Sequence, residues 1–286
     1  MSLLSWILRF LLRLSIGFLI GGFISVLLVQ SSPGFGVDER ELDPSLSEGT
    51  RAKLRQDLVE PGVWRSYAHY VEGALHGDFG LSSSLNTPVS QLLAERAPVT
   101  VMGVGTGLVW AWIIAFPMAA ASVVWRRSTI LLVSPSILLL CVPAGLMAIY
   151  FFLFGLPVAG VIAAGIGPKV FTYLRQLLTE SGQRPHVLGA TARGVRSWRV
   201  FWLHRVVPIV PEIFSLLGVS VTIGLGAAIP AEALCDSAGL GQLAWKAALA
   251  RDTAPLLATT WLITAVAFTA NTLGAAAANS GRTWRE

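Results

Sequence analysis

Few residues in this sequence have types and spacings that could support chemistry. It contains no H-E-x-x-H, G-x-S-x-G, C-x-x-C or G-x-x-x-x-G-K-[ST] pattern, so the common zinc, serine-hydrolase, thiol-redox and phosphate-loop sites are not predicted. The histidines and cysteines are too scattered to suggest a metal-ligand cluster: His69, His76, His186, His204, Cys141 and Cys235. We therefore expect no enzymatic activity, no ATP binding by this chain, and no metal or other cofactor.

Lys169 and Glu212 are the exceptions that call for a role. Each lies within a stretch that is otherwise strongly apolar. A charge inside an apolar span is costly and commonly faces a partner or water, which makes both residues candidates for lining a solute pathway. Either side chain could instead lie near the membrane surface and extend its charge to water.

The composition indicates the elements that hold these residues. Of the 286 residues, 54% are hydrophobic and 13% are charged, against about 25% charged in ordinary soluble domains, and the mean hydropathy is +0.66. These values exclude soluble and disordered classes and favour membrane spans. The predicted spans lie at about 8–29, 98–124, 129–153, 157–179, 206–230 and 254–279.

One uncharged stretch must hold two spans. It runs over the 41 residues from Ser128 to Pro168, which as a helix would extend roughly 60 Å, about twice the hydrocarbon thickness. We predict the break near Gly155 and Pro157. The fourth span is the weakest of the six, because it contains Lys169 and Arg175, and five spans remain an alternative.

Charge asymmetry favours six spans. The segment 31–96 holds ten acidic and six basic residues, and 231–253 holds three acidic and two basic residues. Arginines dominate the other loops and both termini, at Arg9, Arg13, Arg126, Arg127, Arg184, Arg193, Arg196, Arg199, Arg205, Arg282 and Arg285. By the positive-inside rule, an even number of spans places both termini in the cytoplasm and the acidic segments outside. The basic charge therefore reflects membrane topology and lipid contact, and we expect no nucleic-acid partner.

The predicted fold is an all-α, polytopic membrane protein in three parts. Residues 1–30 form a short tail and a first transmembrane helix, read as an uncleaved anchor. Residues 31–97 form an external segment with short amphipathic helices at about 45–59 and 63–75. Residues 98–286 form a five-helix core that includes a cytoplasmic loop at 184–205.

This cytoplasmic loop carries the most informative pattern. Its first part consists mainly of small residues that are compatible with a helix, and a glycine then permits a turn. Its second part alternates arginines with large apolar residues. A helix–turn–helix of this kind could press into a groove on a partner protein. The composition fits a basic juxtamembrane segment that contacts anionic lipid equally well.

Four motifs in order give the chain a family resemblance. They are Gly77-Asp78-Phe79-Gly80-Leu81-Ser82 with Pro88-Val89, then Arg96-Ala97-Pro98-Val99-Thr100, then Ala190-Thr191-Ala192-Arg193-Gly194 with His204, and last Glu232, Gly239-Leu240-Gly241 and Arg251-Asp252. Together they resemble the permeases of ATP-binding-cassette importers, in particular the first permease subunit of the dipeptide, oligopeptide and nickel group. The resemblance covers nearly the whole chain, but the residues before Gly239 depart from the group and leave the cargo open.

The resemblance implies a function and a set of partners. Such a subunit pairs with a second permease subunit in the bacterial inner membrane, receives peptide, nickel or a related solute from an extracytoplasmic binding protein, and is driven by cytoplasmic ATPase subunits. It assigns ATPase coupling to one group of residues: Ala190, Ala192, Arg193, Gly194, Arg196, Arg199 and His204. Glu232 and Asp236 become candidates for docking the binding protein, and solvated loop acids that hold a turn are an equal alternative. The alternative is an ion-coupled secondary transporter or channel, which commonly shows inverted repeats and several intramembrane charges.

Overall fold

The computed structural model describes residues 3–31, 63–125 and 129–283, and these ranges are predominantly helical. The first helices are α1 (Leu3–Gln30), α2 (Val63–Leu75), α3 (Val89–Val124), α4 (Thr129–Cys141), α5 (Ala144–Leu153) and α6 (Val158–Gly182). They are followed by α7 (Pro185–Ala192), the short α8 (Ser197–Arg199), a π-helix (Val200–Val206), a 3₁₀ turn (Val207–Ile209), α9 (Val210–Leu234), α10 (Leu240–Leu249) and α11 (Thr253–Thr283). The all-α expectation is confirmed.

Within the described residues, four helical stretches are long and apolar enough to cross a membrane. They are Ile7–Gln30, Val89–Val124, Ser197–Leu234 and Thr253–Asn279. The bent pair α4 and α5 raises the number to five if it is counted as one span. The 25-residue α6 is long enough to cross a membrane but is not apolar enough to belong to this set.

The predicted span over 129–153 consists of two helices with a sharp bend between them. The chain breaks at Val142 and Pro143, and α4 and α5 meet at 98°. Pro143 has a φ of −59° and a ψ of 140°, the extended conformation of a residue that precedes a helix rather than continues one. The predicted second break, near Gly155 and Pro157, is present between α5 and α6. Sequence reading recognised the glycine-containing break and missed the one that proline makes within a continuous apolar run.

Other boundaries differ by several residues. The second predicted span begins at Val89 rather than near 98, and the fifth lies within a continuous helical run from 197 to 234. The predicted amphipathic helix at 63–75 is present as α2, whereas the one at 45–59 lies outside the described residues.

The chain divides into two compact units. One comprises residues 1–96 and 243–264, and within it the aromatic side chains of α1, α2 and α11 pack together. The Tyr67 hydroxyl donates to the Leu19 carbonyl at 3.0 Å, and the Trp261 indole lies 5.6 Å from the Phe18 ring, centroid to centroid. A Cβ at Gly22 would approach the Trp261 indole nitrogen to 2.6 Å, so this close approach requires glycine.

The second unit comprises residues 97–242 and 265–286. Its core lies where α6 packs on α9, with Ile162, Ile166 and Leu174 of α6 fully buried. Close backbone approach is made at Gly218 of α9, whose added Cβ would lie 2.5 Å from the Ala270 carbonyl of α11. This unit contains the basic loop, Lys169, Glu212 and Glu232.

Candidate functional site: a basic loop, two capped carboxylates and a central cavity

The basic loop, residues 184–205, begins with a helix whose end is fixed by Gly194. Pro185 occupies the first turn of α7, where its missing N–H has no helical partner to lose. At the other end Gly194 has a φ of +75°, its N–H donates to the Thr191 carbonyl at 3.0 Å, and the N–H of Val195 donates to the Ala190 carbonyl at 3.2 Å. This pair of bonds is a Schellman cap, and it requires the left-handed conformation that glycine adopts without strain.

A small apolar cluster holds the two halves of the loop together. Val187 and Ala190 from α7 pack on Val200 from the π-helix, and Val195 closes the cluster. The predicted helix, turn and second helical segment are therefore all present. The second segment runs without interruption from the loop into α9.

The rest of the loop faces outward. Leu188 is 61% exposed and Trp198 is 56% exposed, and the side chains of Arg193, Arg196 and Arg199 are exposed beside them. Within the described ranges these three guanidinium groups form no hydrogen bond or ion pair. The loop thus presents apolar and cationic side chains together on one compact, internally braced structure.

Two side-chain hydrogen bonds hold the end of this loop, one from its own first helix, α7, and one from α6, the helix that precedes it. Pro208 has no N–H to donate to the carbonyl of His204, as an α-helix would require. The Nε2 of His186 lies 3.0 Å from that carbonyl oxygen, so Nε2 carries the proton in this contact. The carbonyl of the next residue, Arg205, accepts a hydrogen bond from the hydroxyl of Ser181 on α6 at 2.9 Å.

We call a buried carboxylate that accepts hydrogen bonds from nearby N–H or hydroxyl groups a capped carboxylate. The first is Glu232, at the far end of the helical run from 197 to 234. Its side chain is only 1% exposed, and Oε2 accepts the N–H of Gly241 at 2.7 Å. The Thr100 hydroxyl accepts the neighbouring N–H of Leu240, also at 2.7 Å. A Cβ at Gly239 would collide with the Glu232 carboxylate. The Glu, Gly-Leu-Gly and Arg-x-Pro-x-Thr motifs therefore meet in one cap at the start of α10.

Glu232 and Asp236 differ in their surroundings. Asp236 is exposed, has a φ of +49°, and accepts a hydrogen bond from Gln242 at 2.7 Å. Glu232 is enclosed by the turn that its carboxylate organises. Of the two, Asp236 is the one accessible to a docking protein.

The second capped carboxylate is Asp252, in the first unit. It is 2% exposed, and its Oδ2 accepts the Ser82 hydroxyl at 2.6 Å, the Ser84 hydroxyl at 2.8 Å and the Ser84 N–H at 2.9 Å. The turn leading to Ser82 is shaped by Gly77 and Gly80, which both have positive φ. The Gly-Asp-x-Gly-x-Ser and Arg-Asp motifs thus meet in a second internal junction.

Tyr70 links α2, the helix before Gly77, to α11, because its hydroxyl donates to the Ala254 carbonyl at 3.3 Å. Burial, with a smaller contribution from the Asp78 carboxylate, raises the pKa of the Tyr70 phenol above its ordinary value. Tyr70 therefore stays neutral and remains a hydrogen-bond donor throughout the physiological pH range.

Lys169 lines a cavity of about 370 Å³ at the break between α4 and α5. The walls come from α4, α5, α6 and α9 and include Leu140, Met147, Gly165 and Gly226. A larger cavity of about 480 Å³ shares Leu139, Ala164 and Pro168 with it, and the described lining of that cavity carries no charged side chain. Glu212 is half-buried near the start of α9 and does not line either cavity.

Comparison with known proteins identifies the class. Residues 99–279 match the family described as the binding-protein-dependent transport system inner membrane component, and the chain belongs to that family. It is a transmembrane permease subunit of an ATP-binding-cassette importer and a multi-pass protein of the bacterial inner membrane. A family of this kind works with ATPase and substrate-binding partners.

Individual relatives refine the comparison. The chain is 24% identical over 250 residues to the glutathione transport system permease protein GsiC of Escherichia coli strain K12, covering 80% of this chain and 81% of the relative. The same protein from Shigella boydii matches at the same identity and coverage. The resemblance to importer permeases of the peptide and nickel group is confirmed.

Several residues of these junctions were quoted within motifs but given no role from the sequence, namely Ser82, Thr100, Gly241 and Asp252. A glutamate a few residues before a glycine-rich helix start was the available sequence signal for the Glu232 cap. The role of His186 had one indirect signal, because Pro208 removes the helical donor to the His204 carbonyl.

Proposed function

We propose that the basic loop is the surface through which a cytoplasmic ATPase drives this subunit. The observation that carries the proposal is the contrast between a rigidly capped backbone at Gly194 and an outward-facing set of side chains around it. Exposed arginines beside exposed apolar side chains suit a partner groove with acidic rims. The coupling group is the set predicted from the sequence: Ala190, Ala192, Arg193, Gly194, Arg196, Arg199 and His204.

The members of this group divide by position. Ala190 is buried and braces the loop, and the carbonyl of His204 accepts the His186 bond, so both residues position the surface. Ala192 and the three arginines are exposed and would touch the ATPase directly. A movement of the loop would be transmitted to α9, because the helical run from 197 to 234 is continuous.

The proposed topology has six spans. In it, α4 and α5 form one broken span and α6 the next, so that both termini and the basic loop lie in the cytoplasm. The acidic segments, including α2 and the two capped carboxylates, then lie outside. There Asp236 would contact a binding protein directly, and the buried Glu232 would support that docking surface by fixing the start of α10. The proposed organisation keeps residues 31–97 as an external segment and 98–286 as the permease core, which would pair with a second permease subunit.

The proposed cargo is a peptide-like solute. Support comes from the relatives, whose name states that they belong to a glutathione transport system, and from the motif resemblance to the peptide and nickel group. Lys169 and Glu212 remain the candidates for lining the pathway, and the Lys169 cavity favours the first of them. An ion-coupled transporter has no comparable observation in its favour.

Co-purification tests the coupling surface. The tagged chain is expressed with the ATPase subunits of its importer, and the bound ATPase is quantified for wild type and for the triple variant Arg193→Glu, Arg196→Glu, Arg199→Glu. We expect a loss of at least tenfold in bound ATPase. Arg65→Glu, which reverses an exposed charge on α2, is the control and should retain it. Equal recovery with the triple variant would contradict the proposal.

A further inference from the structure

We propose that the Lys169 cavity binds a carboxylate group of the cargo as it crosses the membrane. The inference rests on the proposed function, since it assumes that α6 spans the membrane and that a peptide-like solute passes. It adds the chemical group recognised and the place where recognition occurs.

Position is the first argument. Lys169 is the twelfth residue of the 25-residue α6, so it lies roughly 17 to 20 Å along the axis from either end. Lipid phosphates lie beyond the hydrocarbon core, which extends about 15 Å to either side of the bilayer centre. A lipid headgroup therefore does not reach Lys169 without leaving the interface, whereas a solute in the pathway does.

Charge is the second argument. Lys169 is exposed in the chain, and among the residues that the structure describes it makes no hydrogen bond or ion pair. The described lining of the cavity contains no acidic side chain. An ammonium group that lines a cavity without an acidic side chain favours an anionic ligand, and a carboxylate is the anion that a peptide supplies at its C-terminus.

Shape is the third argument. A volume of about 370 Å³ falls at the lower end of the range of small-molecule cavities. The space exists because α4 and α5 break at 98° and because small residues face it, among them Gly226, whose added Cβ would have no atom within 4 Å. Interrupted helices at membrane depth are tolerated where they are buried in protein or line a water-filled cavity.

The test measures chemical labelling of Lys169 in the purified, fully assembled importer. A small amine-reactive acylating reagent is applied, and the modification of Lys169 and Lys246 is followed by peptide mass spectrometry. The probes are trialanine, which has a free carboxylate, and trialanine amide, which does not. We expect trialanine to slow the labelling of Lys169 at least fivefold, the amide to have less than a twofold effect, and Lys246 to be unaffected by either.

Two glycine variants separate binding in the cavity from indirect effects. Gly226→Leu fills the space and should abolish protection by trialanine. Gly105→Leu adds the same side chain at an exposed position of α3 that lines neither cavity, and it should leave protection unchanged.

Each remaining outcome overturns the proposal. Failure of Lys169 to react, equal protection by the acid and the amide, or protection by added phosphatidylglycerol instead of trialanine would do so. Retained ATPase association in the same preparation shows that the failure belongs to the cavity alone, whereas loss of that association upon charge reversal tests the coupling surface independently of Lys169.

Discussion

The two ends of the helical run from 197 to 234 carry functional signatures of opposite kinds. At one end the Glu232 carboxylate is buried and accepts a backbone N–H from the start of α10. At the other, Arg193, Arg196 and Arg199 extend outward with no partner among the described residues. A motif residue whose side chain is hydrogen-bonded within the chain contributes to the stability of that chain, whereas a motif residue that is exposed on a rigid backbone is available to bind a partner. Substitutions at the two ends should therefore fail in different assays.

The largest effect is expected at Gly194. Gly194→Val forces a β-branched residue into the left-handed region, which costs about 1–2 kcal/mol and disfavours the Schellman cap. ATP-driven uptake into proteoliposomes should fall on the order of tenfold, while membrane insertion stays normal. Gly194→Asn is the matched control, because asparagine tolerates positive φ, and it should keep most of the uptake. Equal loss in both variants would mean that added bulk, and not backbone conformation, is responsible.

The next effect is expected at Asp252, and it should appear in stability. Asp252→Ala leaves three donors from Ser82 and Ser84 without their acceptor in a buried site, which costs about 3 kcal/mol. Denaturant unfolding in detergent measures this loss. Asp252→Asn keeps one acceptor oxygen and should lose about half as much. ATPase association should survive in both, and its loss at a temperature where the protein remains folded would contradict the division between the two kinds of signature.

A smaller loss of stability is expected at Glu232. Glu232→Ala removes the acceptor for the Gly241 N–H and should cost about 2 kcal/mol, with Glu232→Gln costing less. Asp236→Ala provides the exposed comparison and should change the unfolding free energy by less than about 0.5 kcal/mol. If Asp236→Ala is the more destabilising of the two, burial is not what distinguishes these acids.

The smallest effect is expected at His186, which lies between the two categories. His186→Ala removes the side-chain donor to the His204 carbonyl and should destabilise the base of the basic loop by about 1 kcal/mol. Hydrogen exchange over residues 185–205 would rise, and unfolding of the rest of the protein would not change. His186→Gln can supply a donor and should recover part of the protection. Unchanged exchange in His186→Ala would show that the contact contributes nothing.

The same division explains what the sequence could and could not predict. The length of the apolar stretches predicts the helical class, and the distribution of arginines predicts the basic loop. The helical class and the basic loop both depend on local composition. The cap around Glu232 joins Thr100 to Leu240, residues 140 positions apart, and no local pattern encodes such a pairing. The 98° break at Pro143 was missed because its neighbours on both sides are apolar and helix-compatible. Glu232 was predicted as a docking residue from its place in the chain, whereas its burial depends on the tertiary fold.

The most direct test of the coupling claim is site-specific photo-cross-linking at Leu188. A photoreactive amino acid replaces Leu188 of the basic loop, 61% exposed, or Leu75 at the end of α2, 81% exposed, in the assembled importer. The account predicts a covalent adduct with the ATPase subunit from position 188 and none from position 75. No ATPase adduct at 188, or equal adducts at both positions, would contradict the claim that this loop is the surface through which ATP hydrolysis drives transport.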